Sequence, residues 1–125
     1  MVVAVASPAA AGEEGHGNAT RGKVLFMQCA ACHSVAEGAP HKIGPNLYGV
    51  VGAPVGKQDA YLYSPAMAEA GAAGKAWTRE TLDAFLADPR GALPNNRMAY
   101  GGISEEAKRR DIIAYLESLQ SAHLK

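Results

Sequence analysis

The sequence predicts a fold of short helices joined by long turns rather than a large regular sheet. Among 125 residues there are 14 Gly and 7 Pro but only 6% aromatic side chains, a composition rich in chain punctuation and poor in strand formers. Helical periodicity recurs in separated pieces, the first being Gly22, Leu25, Phe26 and Cys29 at i, i+3, i+4 and i+7, one face of a helix. Between the pieces, residues 34–57 keep no sustained period of either kind, and Gly38, Pro40, Gly44, Pro45, Gly49, Gly52, Pro54 and Gly56 mark a long folded loop. Loops of that length are usually functional or wrapped around something.

The length suits one domain with a modest core. Residues 1–12, rich in Ala and Val, are read as the remnant of an export signal or anchor, as a mis-called start, or as a disordered tail; they lack the basic start and full apolar stretch of a complete signal. Residues 13–19 are polar and glycine-rich, with His16 expected in solvent. The expected organisation is therefore a flexible segment over 1–19 and one domain over 20–125. Thr20 is the candidate cap of the first helix. Gly22 lies on that helix's apolar face, where it costs about 1 kcal/mol relative to alanine, so a second helix is expected to cross closely there.

Ala66–Ala76 reads as a short helix and a Gly-rich turn, with Met67 as a buried core filler. Thr78 then caps a helix in which Leu82, Phe85 and Leu86 share a face, ending at Asp88 because Pro89 disfavours helical geometry before it. Residues 90–102 form a second irregular loop. Ser104, with Glu105 and Glu106 in the first turn, opens the last helix, whose Ile112, Tyr115, Leu116 and Leu119 line one side. That side is the natural partner of Gly22 and Phe26.

Twelve basic residues balance twelve acidic ones, which argues against nucleic-acid binding. No apolar run reaches the ~18 residues a spanning helix needs. Both cysteines fall in one motif, Cys29-Ala30-Ala31-Cys32-His33. In C-x-x-C-H the thiols are spaced to take both vinyl groups of one haem as thioethers, and the adjoining His33 reaches the iron from one face. A dithiol redox motif would want a βαβ setting and would not need His33. A structural zinc site wants four ligands, and no second C-x-x-C or H-x-x-x-H is present. The ring would supply much of the core that so few aromatics cannot.

His33 as a ligand needs an acceptor on its other ring nitrogen, and the Pro45 carbonyl in the long loop is the candidate. His41 is expected to brace that loop. Tyr61, Tyr63 and Trp77 combine apolar rings with polar handles, suited either to a haem edge and a propionate or to plain core packing. An electron carrier wants a second strong-field ligand. Met27 lies too near Cys29 to reach the opposite face and Met67 sits in a helical pattern. Met98 lies in a loop long enough to cross the ring, flanked by Pro94, Gly101 and Gly102. Met98 is the expected sixth ligand, a neutral soft donor that favours ferrous iron.

These residues fall in ordered blocks: Gly-Lys-Val-Leu-Phe-Met-Gln-Cys-Ala-Ala-Cys-His (22–33), His-Lys-Ile-Gly-Pro-Asn-Leu-Tyr-Gly-Val-Val-Gly (41–52), Trp-Thr-Arg-Glu-Thr-Leu-Asp-Ala-Phe-Leu-Ala-Asp-Pro (77–89), Arg-Met-Ala-Tyr-Gly-Gly (97–102) and Asp-Ile-Ile-Ala-Tyr-Leu (111–116). In that order the chain resembles the class I cytochromes c of mitochondria and the bacterial periplasm. The resemblance implies a small all-α fold with first and last helices crossed near Gly22 and Tyr115. It implies one haem c held by thioethers at Cys29 and Cys32, axial ligation by His33 and Met98, an orienting carbonyl from Pro45, and propionate contacts from Tyr63 and Trp77. Residues 63–67 and Phe85 are most similar to bacterial cytochromes that shuttle electrons between the cytochrome bc1 complex and a terminal oxidase, some of them membrane-tethered.

Three positions depart from the family pattern. Ala53 stands where relatives usually carry Arg or Lys near a buried propionate. Phe85 replaces a tyrosine that donates to the ligand sulfur, and Met67 replaces an Asn. The expectation is a monomeric periplasmic one-electron carrier, not an enzyme, meeting a reductase and an oxidase near Lys23, Lys42, Lys75 and Arg97, and meeting a membrane only through partners or a missing anchor. The alternatives are a haem subunit of a larger dehydrogenase or oxidase, and a haem enzyme or gas sensor with an open iron site.

Overall fold

The computed structural model describes residues 17–58 and 61–124, with side chains through Gln120. The expectations for residues 1–16, His16 among them, lie outside the described residues. Five helices occur among the described residues: α1 (Ala19–Phe26), α2 (Pro65–Ala72), α3 (Arg79–Ala87), α4 (Pro89–Ala92) and α5 (Glu106–Leu124). The only strand-like feature among them is a single antiparallel bridge, Pro54 to Ala76. It is extended by Trp77 N–H on the Ala53 carbonyl at 2.8 Å and Val55 N–H on the Lys75 carbonyl at 3.0 Å.

The fold is built on the crossing of α1 and α5. A Cβ on Gly22 would overlap the Asp111 carbonyl and the Tyr115 side chain, so the two backbones approach as only glycine allows. Beside this point Phe26 packs on Tyr115 with ring centroids 5.6 Å apart. Phe26, Leu82, Leu86, Ile103, Ile112, Ile113 and Leu116 form the buried cluster, so α3 supplies the third face of a small core. Thr78 and Thr81 make a reciprocal capping box at the start of α3, and the helix stops before Pro89 as expected.

Several expectations need correction. The cap of α1 is Asn18, whose side chain accepts from Arg21 N–H at 2.9 Å; Thr20 is already inside the helix. Asn18 N–H also bonds Asp111 Oδ1 at 2.8 Å. Helix α1 ends at Phe26, and successive turns, Cys29 N–H on the Phe26 carbonyl at 2.7 Å first, carry the chain to the cysteines. Residues 89–92 are not irregular: Asp88 caps them through Gly91 N–H at 3.1 Å, and Pro89 is fully buried. The last helix opens at Glu106, two residues after Ser104. Helix α2 buries none of its residues, so Met67 is half-exposed and fills no core.

Candidate functional site

The turn after α1 places Cys29, Cys32 and His33 in sequence. Cys32 N–H and His33 N–H both bond the Cys29 carbonyl at 3.0 Å, so one tight turn sets both thiols, each half-buried. Burial, then proximity to Cys32, pushes the Cys29 thiol up from its ordinary value.

The long loop clasps this turn. Gly44 N–H donates to the Cys32 carbonyl at 2.7 Å, Leu47 N–H to the Ser34 carbonyl at 2.9 Å, and Lys42 Nζ to the Ala30 carbonyl at 2.7 Å. Gly44 lies flat on the His33 imidazole, where a Cβ would overlap the ring. His33 Nδ1 meets the Pro45 carbonyl at 2.7 Å. A carbonyl only accepts, so Nδ1 carries the proton and Nε2 keeps its lone pair. Burial pushes the His33 pKa down, more than the Pro45 bond raises it, and Lys42 lowers it further. The result is a neutral, buried imidazole of fixed tautomer, the donor that a borderline-soft metal prefers. His33, Cys29 and Cys32 thus fit a covalently attached haem.

His41 braces the loop as expected, accepting from Asn46 N–H at 2.9 Å and meeting the Tyr61 ring edge-on at 5.5 Å. The residue that sequence reasoning missed is Asn46. Buried at 6% exposure, it donates to the Ala36 and Ala39 carbonyls at 2.8 and 3.0 Å and accepts from Tyr48 N–H at 2.9 Å. Gln58 links the Asn46 carbonyl, at 3.0 Å, to Tyr63, whose hydroxyl accepts Gln58 N–H at 3.0 Å. Tyr61 stacks edge-on to Tyr63 at 4.9 Å and donates to the Ile43 carbonyl at 2.6 Å. Tyr61 and Tyr63 are therefore tied to the loop that holds His33. Trp77 is held elsewhere, edge-on to Phe85 at 5.1 Å.

Met98 lies half-buried in the second loop, with both flanks fastened near the site. Arg97 donates to the Leu62 carbonyl at 3.3 Å, and the Tyr100 hydroxyl to Gln28 Oε1 at 2.7 Å, next to Cys29. Burial, with Cys29 nearby, pushes the Tyr100 hydroxyl pKa up. Of the expected cations, Lys23 and Lys42 line a cavity of about 340 Å³ beside His33, and Lys75 lines one of about 150 Å³ against Trp77 and Phe85. Ala53 is buried and offers no cation.

The family model for cytochrome c matches residues 19–120. The chain belongs to the cytochrome c family. It is 42% identical over 100 residues to cytochrome c2 of Agrobacterium tumefaciens (strain II Chrys), covering 80% of this chain and 90% of that one. It is 38% identical to cytochrome c-550 of Ancylobacter novellus over 81% of this chain and 94% of the relative. Among solved structures, cytochrome cH from Methylobacterium extorquens superposes with a TM-score of 0.75 at 39% identity, over 82% of this chain and 99% of the other. As a cytochrome c, the chain carries one covalent haem c through Cys29 and Cys32 and transfers electrons. Its all-α fold is that of the family.

Proposed function

We propose that His33 and Met98 are the two axial ligands of the haem in this one-electron carrier, and that the carrier works between a reductase such as the cytochrome bc1 complex and a terminal oxidase in the bacterial periplasm. The observation that carries the ligand reading is the 2.7 Å pairing of His33 Nδ1 with the Pro45 carbonyl. It leaves Nε2 as the buried lone-pair donor of a rigidly held ring. The fastening of the Met98 loop to Leu62 and Gln28 supports the opposite ligand. When bound, the haem supplies the electron-transfer step by alternating between ferric and ferrous iron.

Two neutral ligands, imidazole and thioether, favour the ferrous state relative to an anionic donor. Tyr63, kept neutral by burial against the opposing pull of the Gln58 N–H, retains its own proton for a propionate, and Trp77 is the second contact. Phe85 has no donor to offer the ligand sulfur.

Exchange with partners needs weak, fast encounters. Around the site Met27, Ile43 and Leu62 are 71%, 79% and 82% exposed, and Lys42 and Arg97 stand beside them. A mixed apolar and basic rim suits a redox protein carrying acidic groups. No described helix is long and apolar enough to cross a membrane. The domain reading becomes one haem domain beginning by Gly17 and extending through α5, monomeric and without an enzymatic turnover of its own.

The test is Met98→Ala in the haem-loaded protein. It should keep both thioethers, lose the ferric sulfur-to-iron band at the red end of the visible, and bind carbon monoxide rapidly when reduced. A variant that kept the band and excluded carbon monoxide would overturn the ligand assignment. Rapid carbon monoxide binding by the unmutated protein would favour a sensor or enzyme instead.

A further inference from the structure

We propose that Asn96 is the positioning residue for the sixth ligand: its side-chain amide pins the backbone of Met98 to the buried turn at Pro89, and so sets how readily the thioether yields to another ligand. The inference rests on the reading of Met98 as that ligand.

The Asn96 amide has both N–H groups and its oxygen engaged. Oδ1 accepts Met98 N–H at 2.7 Å, while Nδ2 donates to the Leu93 and Pro89 carbonyls at 2.8 and 2.9 Å. The first bond closes a turn from a residue to the one two places on, the local shape asparagine favours. The other two reach the first carbonyl of α4 and that of the Leu93 cap, which also accept Leu93 N–H at 3.0 Å and Asn96 N–H at 3.3 Å, so the amide adds a second bond at each end of the turn. Asn95, just before, takes a left-handed backbone at φ 68°, a conformation asparagine tolerates better than most residues. The base of the arrangement is rigid, since Pro89 is fully buried and Asp88 caps α4.

Other anchors of this loop are different in kind. Arg97 on the Leu62 carbonyl and Tyr100 on Gln28 are exposed hydrogen bonds between surface groups, where water competes. Asn96 grips the ligand residue's own backbone from a half-buried position. A thioether held by a rigid loop has a high effective concentration at the iron, and loosening the loop lowers it without touching either ligand atom. Asn96 thereby governs ligand exchange as a positioning residue.

The experiment titrates imidazole against the ferric haem-loaded protein and follows loss of the sulfur-to-iron band. Asn96→Ala should bind imidazole about tenfold more tightly than the unmutated protein, the equivalent of one or two lost hydrogen bonds. Asn96→Ser, whose hydroxyl makes a weaker version of the turn and no tie to α4, should fall between them. Arg97→Ala should stay within about twofold, the scale of an exposed bond. Thr78→Ala removes a helix cap from α3 and lowers global stability, yet should leave imidazole affinity unchanged. Imidazole binding by Asn96→Ala within about twofold of the unmutated protein, or an equal gain in Thr78→Ala, overturns the inference. If Asn96→Ala does not mature, Asn96→Ser carries the test, and wild-type affinity in it is the overturning result. Should Met98→Ala keep the band, the ligand reading falls and the inference with it. Should Met98→Ala lose the band while the Asn96 variants keep wild-type affinity, the inference alone falls.

Discussion

The α1–α5 crossing and the two loops that bracket the site are ordered by different forces. At the crossing, apolar side chains do the work: Phe26, Ile112, Ile113 and Leu116 are 4%, 1%, 2% and 4% exposed. In the loops Val55 and Leu93 are buried too, but Ile43 faces solvent. Order there comes from side-chain amides and imidazoles on backbone groups, chiefly Asn46, His41 and Asn96. Burial is cumulative and non-directional, whereas hydrogen bonds fix orientation. The chain therefore uses packing to hold the molecule together and directional bonds to aim the ligands. The two regions should fail separately.

The largest effect is expected at the crossing. Phe26→Ala removes a ring that fills the space between Tyr115 and the α3 face, and should cost about 3–5 kcal/mol of unfolding free energy. Denaturant unfolding of the haem-loaded protein checks it. Below the transition the sulfur-to-iron band should be unchanged, because Phe26 makes none of the hydrogen bonds that fasten the Met98 loop. A variant that lost the band before it unfolded would show that the crossing and the ligand loops are one unit.

Asn46→Ala probes the other region. It strips the Ala36 and Ala39 carbonyls and the Tyr48 N–H of a buried partner, at a cost of about 2 kcal/mol. The expected signature is local: faster amide hydrogen exchange over residues 36–48, with α1 and α5 protected as before. If exchange quickened equally in both regions, the separation drawn here would be wrong.

The same contrast explains what could be read from sequence. Packing leaves a periodic trace, so the faces of α1, α3 and α5 and the close approach at Gly22 were legible, as was the Thr78 to Pro89 span with its local start and stop chemistry. The Cys29–Cys32–His33 motif carries its own spacing, and it led to Pro45 because a ligating imidazole needs an acceptor. Long-range polar bonds leave no such trace. Asn18 caps α1 in place of Thr20 because its N–H meets Asp111, 93 residues away. Asn46 is one polar residue among many in an aperiodic loop. Met67 reads as buried because its helix has an apolar composition, yet α2 buries none of its residues even though its Gly71 approaches the Val55 carbonyl closely.

Asp111 is where the two kinds of order meet, and it gives the smallest and most specific effect. It is 5% exposed within the apolar crossing, and it accepts Asn18 N–H at 2.8 Å and Arg21 Nε at 3.0 Å. Burial by itself would raise its pKa. The bonds from Arg21 and the Asn18 backbone, with the charges of Arg21 and Arg110, outweigh burial and hold the carboxyl below its ordinary value of 3.8. A carboxylate whose folded pKa lies below its unfolded one stabilises the fold fully above the unfolded value and loses that contribution as pH falls through the folded one. Arg21 is 66% exposed, so water screens the charge pairing and most of the effect belongs to the buried hydrogen bond. Asp111→Asn should therefore cost about 1 kcal/mol at neutral pH, and the difference from the unmutated protein should shrink below about pH 4 as Asp111 itself protonates. Urea midpoints of both proteins from pH 7 down to about 3 measure it. A difference that stayed constant over that range would mean that the Asp111 charge contributes nothing and that its shape alone fills the crossing.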